Sequence, residues 1–141
     1  MASQIVHGHD IGRWVYERTG GVYTEQDSVS IGRIDDTGKL IGGVVFENYN
    51  GNSMLMHCAG EGAWINKDFL RKTFRYAFEQ IKVHKLIGLV DSTNEKAIRL
   101  DLHLGFVQEA VITGAGAKGD LLVLTMTKEQ CRYLSKGYDP K

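Results

Sequence analysis

Asn94-Glu95-Lys96-Ala97-Ile98-Arg99-Leu100-Asp101-Leu102-His103-Leu104-Gly105-Phe106 lies just beyond the apolar run Leu86-Ile87-Gly88-Leu89-Val90. Asn94 is a good helix N-cap, and Gly105 can take the left-handed conformation that ends a helix. Between them there is room for about three helical turns at ~3.6 residues each. Phe106 then opens a second apolar run. The segment therefore reads strand, capped short helix, Gly-Phe, strand.

Working outward, Asp10 is expected to cap a helix reaching about Arg18, with Ile11, Trp14, Val15 and Arg18 at helical spacing. Gly20-Gly21 ends it. Residues 28–34 alternate and read as a strand, Asp35 to Lys39 as a turn, and Leu40 to Tyr49 as the return strand. Asn50-Gly51 signals a second hairpin turn, so Ser53 to Ala59 is a third strand in an antiparallel meander. The clearest helix runs from about Asn66 to Lys82, where Leu70, Phe74, Ala77, Phe78 and Ile81 form one apolar stripe. His84 to Val90 is short and apolar enough to be a central strand parallel to its neighbour. Phe106 to Ile112 and Leu121 to Met126 close the sheet, followed by a polar tail with Tyr133, Tyr138 and Pro140. The expected fold is α/β (α+β): a mixed, mostly antiparallel sheet with one parallel strand pair and flanking helices.

The chain has 141 residues, which suits a single domain over 1–141. Its 17 basic and 17 acidic residues cancel, which argues against nucleic acid as a partner. Cys58 and Cys131 form neither a disulfide framework nor a metal motif, pointing to a reducing, cytoplasmic setting. The start Met1-Ala2-Ser3-Gln4 lacks a charged leader ahead of an apolar core, and no apolar run approaches the ~20 residues of a membrane span.

The element order, together with Asn94-x-x-Ala97-Ile98-x-Leu100-x-x-x-x-Gly105-Phe106 and Tyr76-Ala77-Phe78-Glu79 ahead of Leu86-Ile87, resembles the GCN5-related N-acetyltransferase family. The resemblance covers about Ser28 to Met126 and looks most like small, phage-type members. It implies an acyl transfer that uses acetyl-CoA. Two parallel strands, here 53–59 and 84–90, would splay apart, and peptide groups near Cys58 and Ala59 would bind the pantetheine arm. The diphosphate would rest on amides at Trp64, Ile65 and Asn66, where the helix dipole favours anions. Lys67, near the helix start, is the cation best placed for phosphate. Asn94, Lys96, Ala97 and Arg99 would face the cofactor from the short helix.

Two departures stand out. The family's Gln/Arg-x-x-Gly-x-Gly/Ala loop is replaced, without gaps, by Glu61, Trp64 and Asn66, while a shifted frame, His57-x-x-Gly60-x-Gly62, recovers the glycines but lengthens the loop. Glycine is wanted there because backbone must approach phosphate closely. The family's tyrosine, a proton donor to the leaving thiolate, is replaced by Asp101. An ionised aspartate is a poor donor unless burial raises its pKa.

His57 and Asp101 are the candidate catalytic residues. His57 is the general base best suited by its side-chain chemistry; a satisfied strand histidine is the competing reading. Asp101 could orient an amine or accept its proton, or sit solvated at the helix edge beside Arg99 or His103. Cys58 adjoins His57, but neighbours on a strand point to opposite faces and would not meet. Trp64 reads as a packing residue as readily as a cofactor contact, His103 as a helix C-terminal cap, and His7-Gly8-His9-Asp10 as a turn and cap; no metal is expected. The expectation is thus an N-acetyltransferase acting on a small amine or peptide by direct attack, or a CoA-binding or interaction module on the same fold. A homodimer is expected, with Leu121-Leu122-Val123-Leu124 in its interface.

Overall fold

A computed structural model describes residues 4–134 as one seven-stranded sheet flanked by three helices. Tyr138 and Pro140 lie outside the described residues. The elements are β1 Gln4–His7, α1 His9–Thr19, β2 Ser28–Ile34, β3 Leu40–Glu47, β4 Ser53–Gly60, α2 Lys67–Arg75, β5 Lys85–Asp91, α3 Glu95–Leu104, β6 Val107–Ile112 and β7 Leu121–Thr127. In space the strands run β1-β2-β3-β4-β5-β7-β6, and only β4 and β5 are parallel. This is the mixed sheet expected from the element order.

Several details differ from the sequence reading. β1 was not anticipated; it adds a fourth strand to the meander by pairing with β2. Asp10 does not cap α1. The preceding residue is Gly8, which offers no side-chain bond, and Asp10 instead pairs with Arg13 in the first turn at 2.6 Å. The long helix does not stay α-helical: Tyr76–Ile81 widen into a π-helical turn, and Lys82 closes it in the left-handed conformation. The N–H of Val83 reaches back to the carbonyl of Ala77, which accommodates the wider turn.

α3 follows the expected plan closely. Asn94 Oδ1 accepts from Ala97 N, while Gly105, at φ 114°, donates to Leu102 O and Phe106 N donates to Asp101 O. That pair of bonds is the Schellman arrangement, which requires a positive φ and hence favours glycine.

Side chains alternate across the sheet and divide the core in two. On one face Ile11 and Val15 of α1 meet Val45. Gly43 permits this contact, since a Cβ there would stand 2.8 Å from Val15. On the other face Phe69, Leu70, Phe74, Ala77 and Phe78 pack over Val44, Phe46, Met54, Met56 and Leu86, and α3 adds Leu104. Burying Phe74, with no exposure, contributes on the order of 2–3 kcal/mol of apolar transfer free energy.

The expected dimer segment needs a correction. β7 lies inside the sheet between β5 and β6, and Leu122 and Leu124 are buried in the protomer's own core. The exposed apolar side chains of this half belong to edge strand β6: Val107, Val111 and Ile112.

Candidate functional site

The parallel pairing of β4 and β5 stops early. Only Ser53↔Lys85, Met54↔Leu86 and Leu55↔Ile87 are paired, although both strands continue. Glu61 N bonds to Ile41 O, so alternation turns the peptide groups of His57 and Ala59 toward β3 and those of Cys58 and Gly60 toward β5. Lys128 N bonds to His84 O, and the same logic turns the peptide of Leu89 toward β4. Past Leu55 and Ile87 these groups face an opening instead of a partner strand. This is the splay expected for strands 53–59 and 84–90.

Two cavities flank the opening and share Thr19, Cys58, Asn94, Ala97 and Leu100, so they form one continuous groove. The first, of about 300 Å³, is bounded by Tyr16, His57, Gly88, Asp91 and Asp101. The second, of about 430 Å³, is bounded by Arg18, Ala59, Gly60, Glu61, Trp64 and Lys96.

His57 and Asp101, far apart in sequence, both line the first cavity. His57 lies on the face of α1, its ring 5.4 Å from that of Tyr16. Its Nε2 stands 2.8 Å from Glu47 Oε2 but is not aligned as a hydrogen bond, so the contact is one of charge proximity. The Tyr16 hydroxyl donates to the same carboxylate oxygen. Burial, and then the bond to Glu47, push the Tyr16 pKa up, so this phenol stays protonated. Glu47 and Tyr16 were not among the residues singled out from the sequence.

Asp101 lies on the other face. Its Oδ2 would be 3.3 Å from a Cβ at Gly88, so the carboxyl sits against that bare peptide. It has no hydrogen-bond or ion-pair partner among the described residues, and burial pushes its pKa up to about 7. Cys58 also points to this face, opposite His57 as alternation requires. Burial and the nearby Asp101 raise the Cys58 pKa, which holds it as a thiol and makes it a poor nucleophile.

The expected cofactor residues fall into three groups. Cys58, Ala59, Trp64, Asn94, Lys96 and Ala97 line the second cavity. Ile65 packs into the core, Asn66 caps α2 by accepting from Phe69 N at 2.8 Å, and Lys67 is exposed at the start of α2. Arg99 lies outside the groove beside Glu95, 3.7 Å away and exposed. Trp64 is only 7% exposed, and its indole covers Gly42 and Gly60. Glu61 is held by Arg18 at 2.8 Å. Among the described residues no group of three metal-ligating side chains occurs, and no helix is long and apolar enough to cross a membrane.

The freed peptides of Cys58, Gly60 and Leu89 beside an elongated cavity fit the amide-rich arm of an acyl-pantetheine. Lys96 and Arg18 are the cations at the end of the groove where phosphates would leave it.

No protein-family model matches the sequence, and no curated protein does. Solved structures do. A point mutant of the spermidine N-acetyltransferase SpeG from Vibrio cholerae superposes with a TM-score of 0.72 at 16% identity, covering 93% of this chain and 95% of that one. A chimera of that enzyme with hSSAT gives 0.70 at 16%, covering 92% and 97%. The spermidine/spermine N-acetyltransferase SpeG from Vibrio cholerae in complex with manganese ions gives 0.65 at 18%, covering 89% and 92%. The chain has the GCN5-related N-acetyltransferase fold. At such identities the likeness extends to the fold alone.

Proposed function

We propose that the chain is a cytoplasmic N-acetyltransferase of the small phage-type sort, using acetyl-CoA to acylate a small amine or peptide. The observation that carries this reading is the break in the β4–β5 ladder, which leaves unpaired peptide groups along a groove with His57 on one face and Asp101 on the other. The superposition on polyamine acetyltransferases makes a polyamine the first acceptor to try.

When bound, acetyl-CoA supplies the thioester carbonyl that is attacked. The chain's own residues position and exchange protons. Cys58, Gly60 and Leu89 peptides align the arm, and such alignment can replace several kcal/mol of barrier. His57 takes the proton from the acceptor nitrogen. With Nε2 turned toward Glu47, Nδ1 is the ring nitrogen left to accept it. Glu47, fixed by Tyr16, stands beside the charge the ring acquires.

Calorimetric titration with acetyl-CoA tests the cofactor, and a coupled thiol-release assay over polyamines, aminoglycosides and peptides tests transfer. Saturable binding with release by at least one amine supports the reading; no binding at high micromolar acetyl-CoA sinks it. A homodimer is proposed as well, and light scattering at the monomer mass would refute it.

A second reading, a CoA-binding or interaction module without catalysis, is favoured by Glu61 and Trp64 in the loop before α2. There a carboxylate and an indole stand where close phosphate approach is wanted. Binding of CoA without transfer to any amine of the panel would select it.

A further inference from the structure

We propose that the carboxyl group of Asp101 is the proton donor to the sulfur of the departing thiol. The proposal rests on the acyl-transfer reading above and assigns a specific step within it.

The geometry divides proton traffic between the two faces of the sheet. His57 reaches the opening from the α1 face, where Tyr16 and Glu47 surround it. Asp101 reaches the same opening from the opposite face, over the peptide of Gly88. A donor and an acceptor on opposite walls can each serve one reactant without exchanging the proton directly.

Asp101 lacks any partner that would explain it as a structural carboxylate. A carboxyl retained for stability would be paired or capped, as Asp91 is by the amides of Thr93, Lys118 and Gly119. The titratable groups that share its cavity are Tyr16 from α1, His57 and Cys58 from β4, and Asp91 from β5. None is placed to donate to sulfur instead. The Tyr16 proton is committed to Glu47, and the Cys58 thiol is held too tightly to be an acid. Burial supports the role, because it keeps a substantial share of Asp101 protonated at neutral pH.

The step balances. The acceptor nitrogen forms the new C–N bond, and the C–S bond breaks with its electron pair passing to sulfur. Sulfur then takes the Asp101 proton, while nitrogen gives its proton to His57. Return of that proton from His57 to Asp101 through solvent restores both groups.

The test compares wild type with D101N and D101E on two donors: acetyl-CoA, and phenyl thioacetate, whose arenethiolate leaves without protonation. D101N should keep acetyl-CoA binding within about threefold and lose on the order of 10²–10⁴ in kcat with acetyl-CoA. It should lose less than about fivefold with phenyl thioacetate, and D101E should recover part of the loss. Independently, infrared difference spectra of the free protein should show a protonated-carboxyl band that titrates near neutrality and is missing in D101N. Equal losses on both donors, no loss on either, or an Asp101 already ionised at pH 6 would overturn the proposal. Absence of transfer by wild type would instead overturn the acyl-transfer reading, and this step with it.

Discussion

The indole of Trp64 is seated directly on the backbone of Gly60, where a Cβ would stand 2.2 Å from its Cγ and Cδ2. The ring also covers Gly42 on the neighbouring strand and meets Phe69 edge-on at 6.0 Å. Two adjacent strands thus give up side chains so that one aromatic can close the end of the core.

G60A should therefore destabilise the protein by about 1–3 kcal/mol through overpacking. W64A should cost about 3–5 kcal/mol through the cavity it leaves. Combined, the two should cost less than their sum, because the new methyl occupies part of the vacated space. Urea denaturation of the four proteins measures the coupling, and strict additivity would contradict the contact.

On the α1 face, H57A should lower kcat by about 10²–10³ with little change in KM for acetyl-CoA. E47Q should lower kcat by roughly tenfold, since it removes a charge beside the ring but no group that moves a proton. Y16F should stay within a fewfold of wild type. Steady-state kinetics that resolve kcat from KM decide this, and an unimpaired H57A would remove the histidine from the mechanism.

How much of this was legible in the sequence follows from the range of the interactions. α3 could be read because its determinants are local: Asn94 and Gly105 act on backbone within a turn of themselves. β1 was missed because Gln4–His7 is too short for any periodicity to show. Glu47 was missed although a signal existed. The Asn50-Gly51 turn sets the hairpin register, with Val45 opposite His57, and that register puts Glu47 on the face of His57 one diagonal away. Tyr16 had no such signal, because only the docking of α1 on the sheet brings it to Glu47. The π-helical turn after Arg75 likewise leaves an amphipathic stripe almost unchanged, so periodicity does not reveal it.

Asp91 ties the loop between β6 and β7 to the start of α3. Its Oδ1 accepts from Thr93 N and Oγ1, and its Oδ2 accepts from Lys118 N at 2.7 Å and Gly119 N at 3.1 Å. These bonds, that from Lys118 first, hold the carboxyl well below the usual carboxylate range. The stabilisation is therefore present above about pH 4 and is lost as the pH falls through the depressed folded value. D91A should be less stable than wild type at pH 7, with the difference shrinking in strong acid. Amide exchange at Lys118 and Gly119 should speed up at least about tenfold, and unchanged exchange would show that the loop is held by other means.

Asp101 has the opposite sign. Its pKa, about 7 in the fold, lies above the ordinary aspartate value of 3.8, so folding disfavours its ionised form. The cost is absent below about pH 4 and complete above about pH 7. D101N should melt within a degree or two of wild type at pH 4 and several degrees higher at pH 8. Scanning calorimetry at the two values checks it; a gap that does not widen with pH would mean that the carboxyl is not buried in its folded environment.

The three-pair ladder between β4 and β5 has a consequence for the chain as a whole. Every strand before residue 82 belongs to one half of the sheet and every strand after it to the other, so the break is also a seam between two uninterrupted segments. A thioester threaded through it would cross that seam and touch both halves, acting as a rivet. Ligand binding should therefore raise the unfolding temperature. It should also favour reassembly of the protein from two fragments cut between Lys82 and His84.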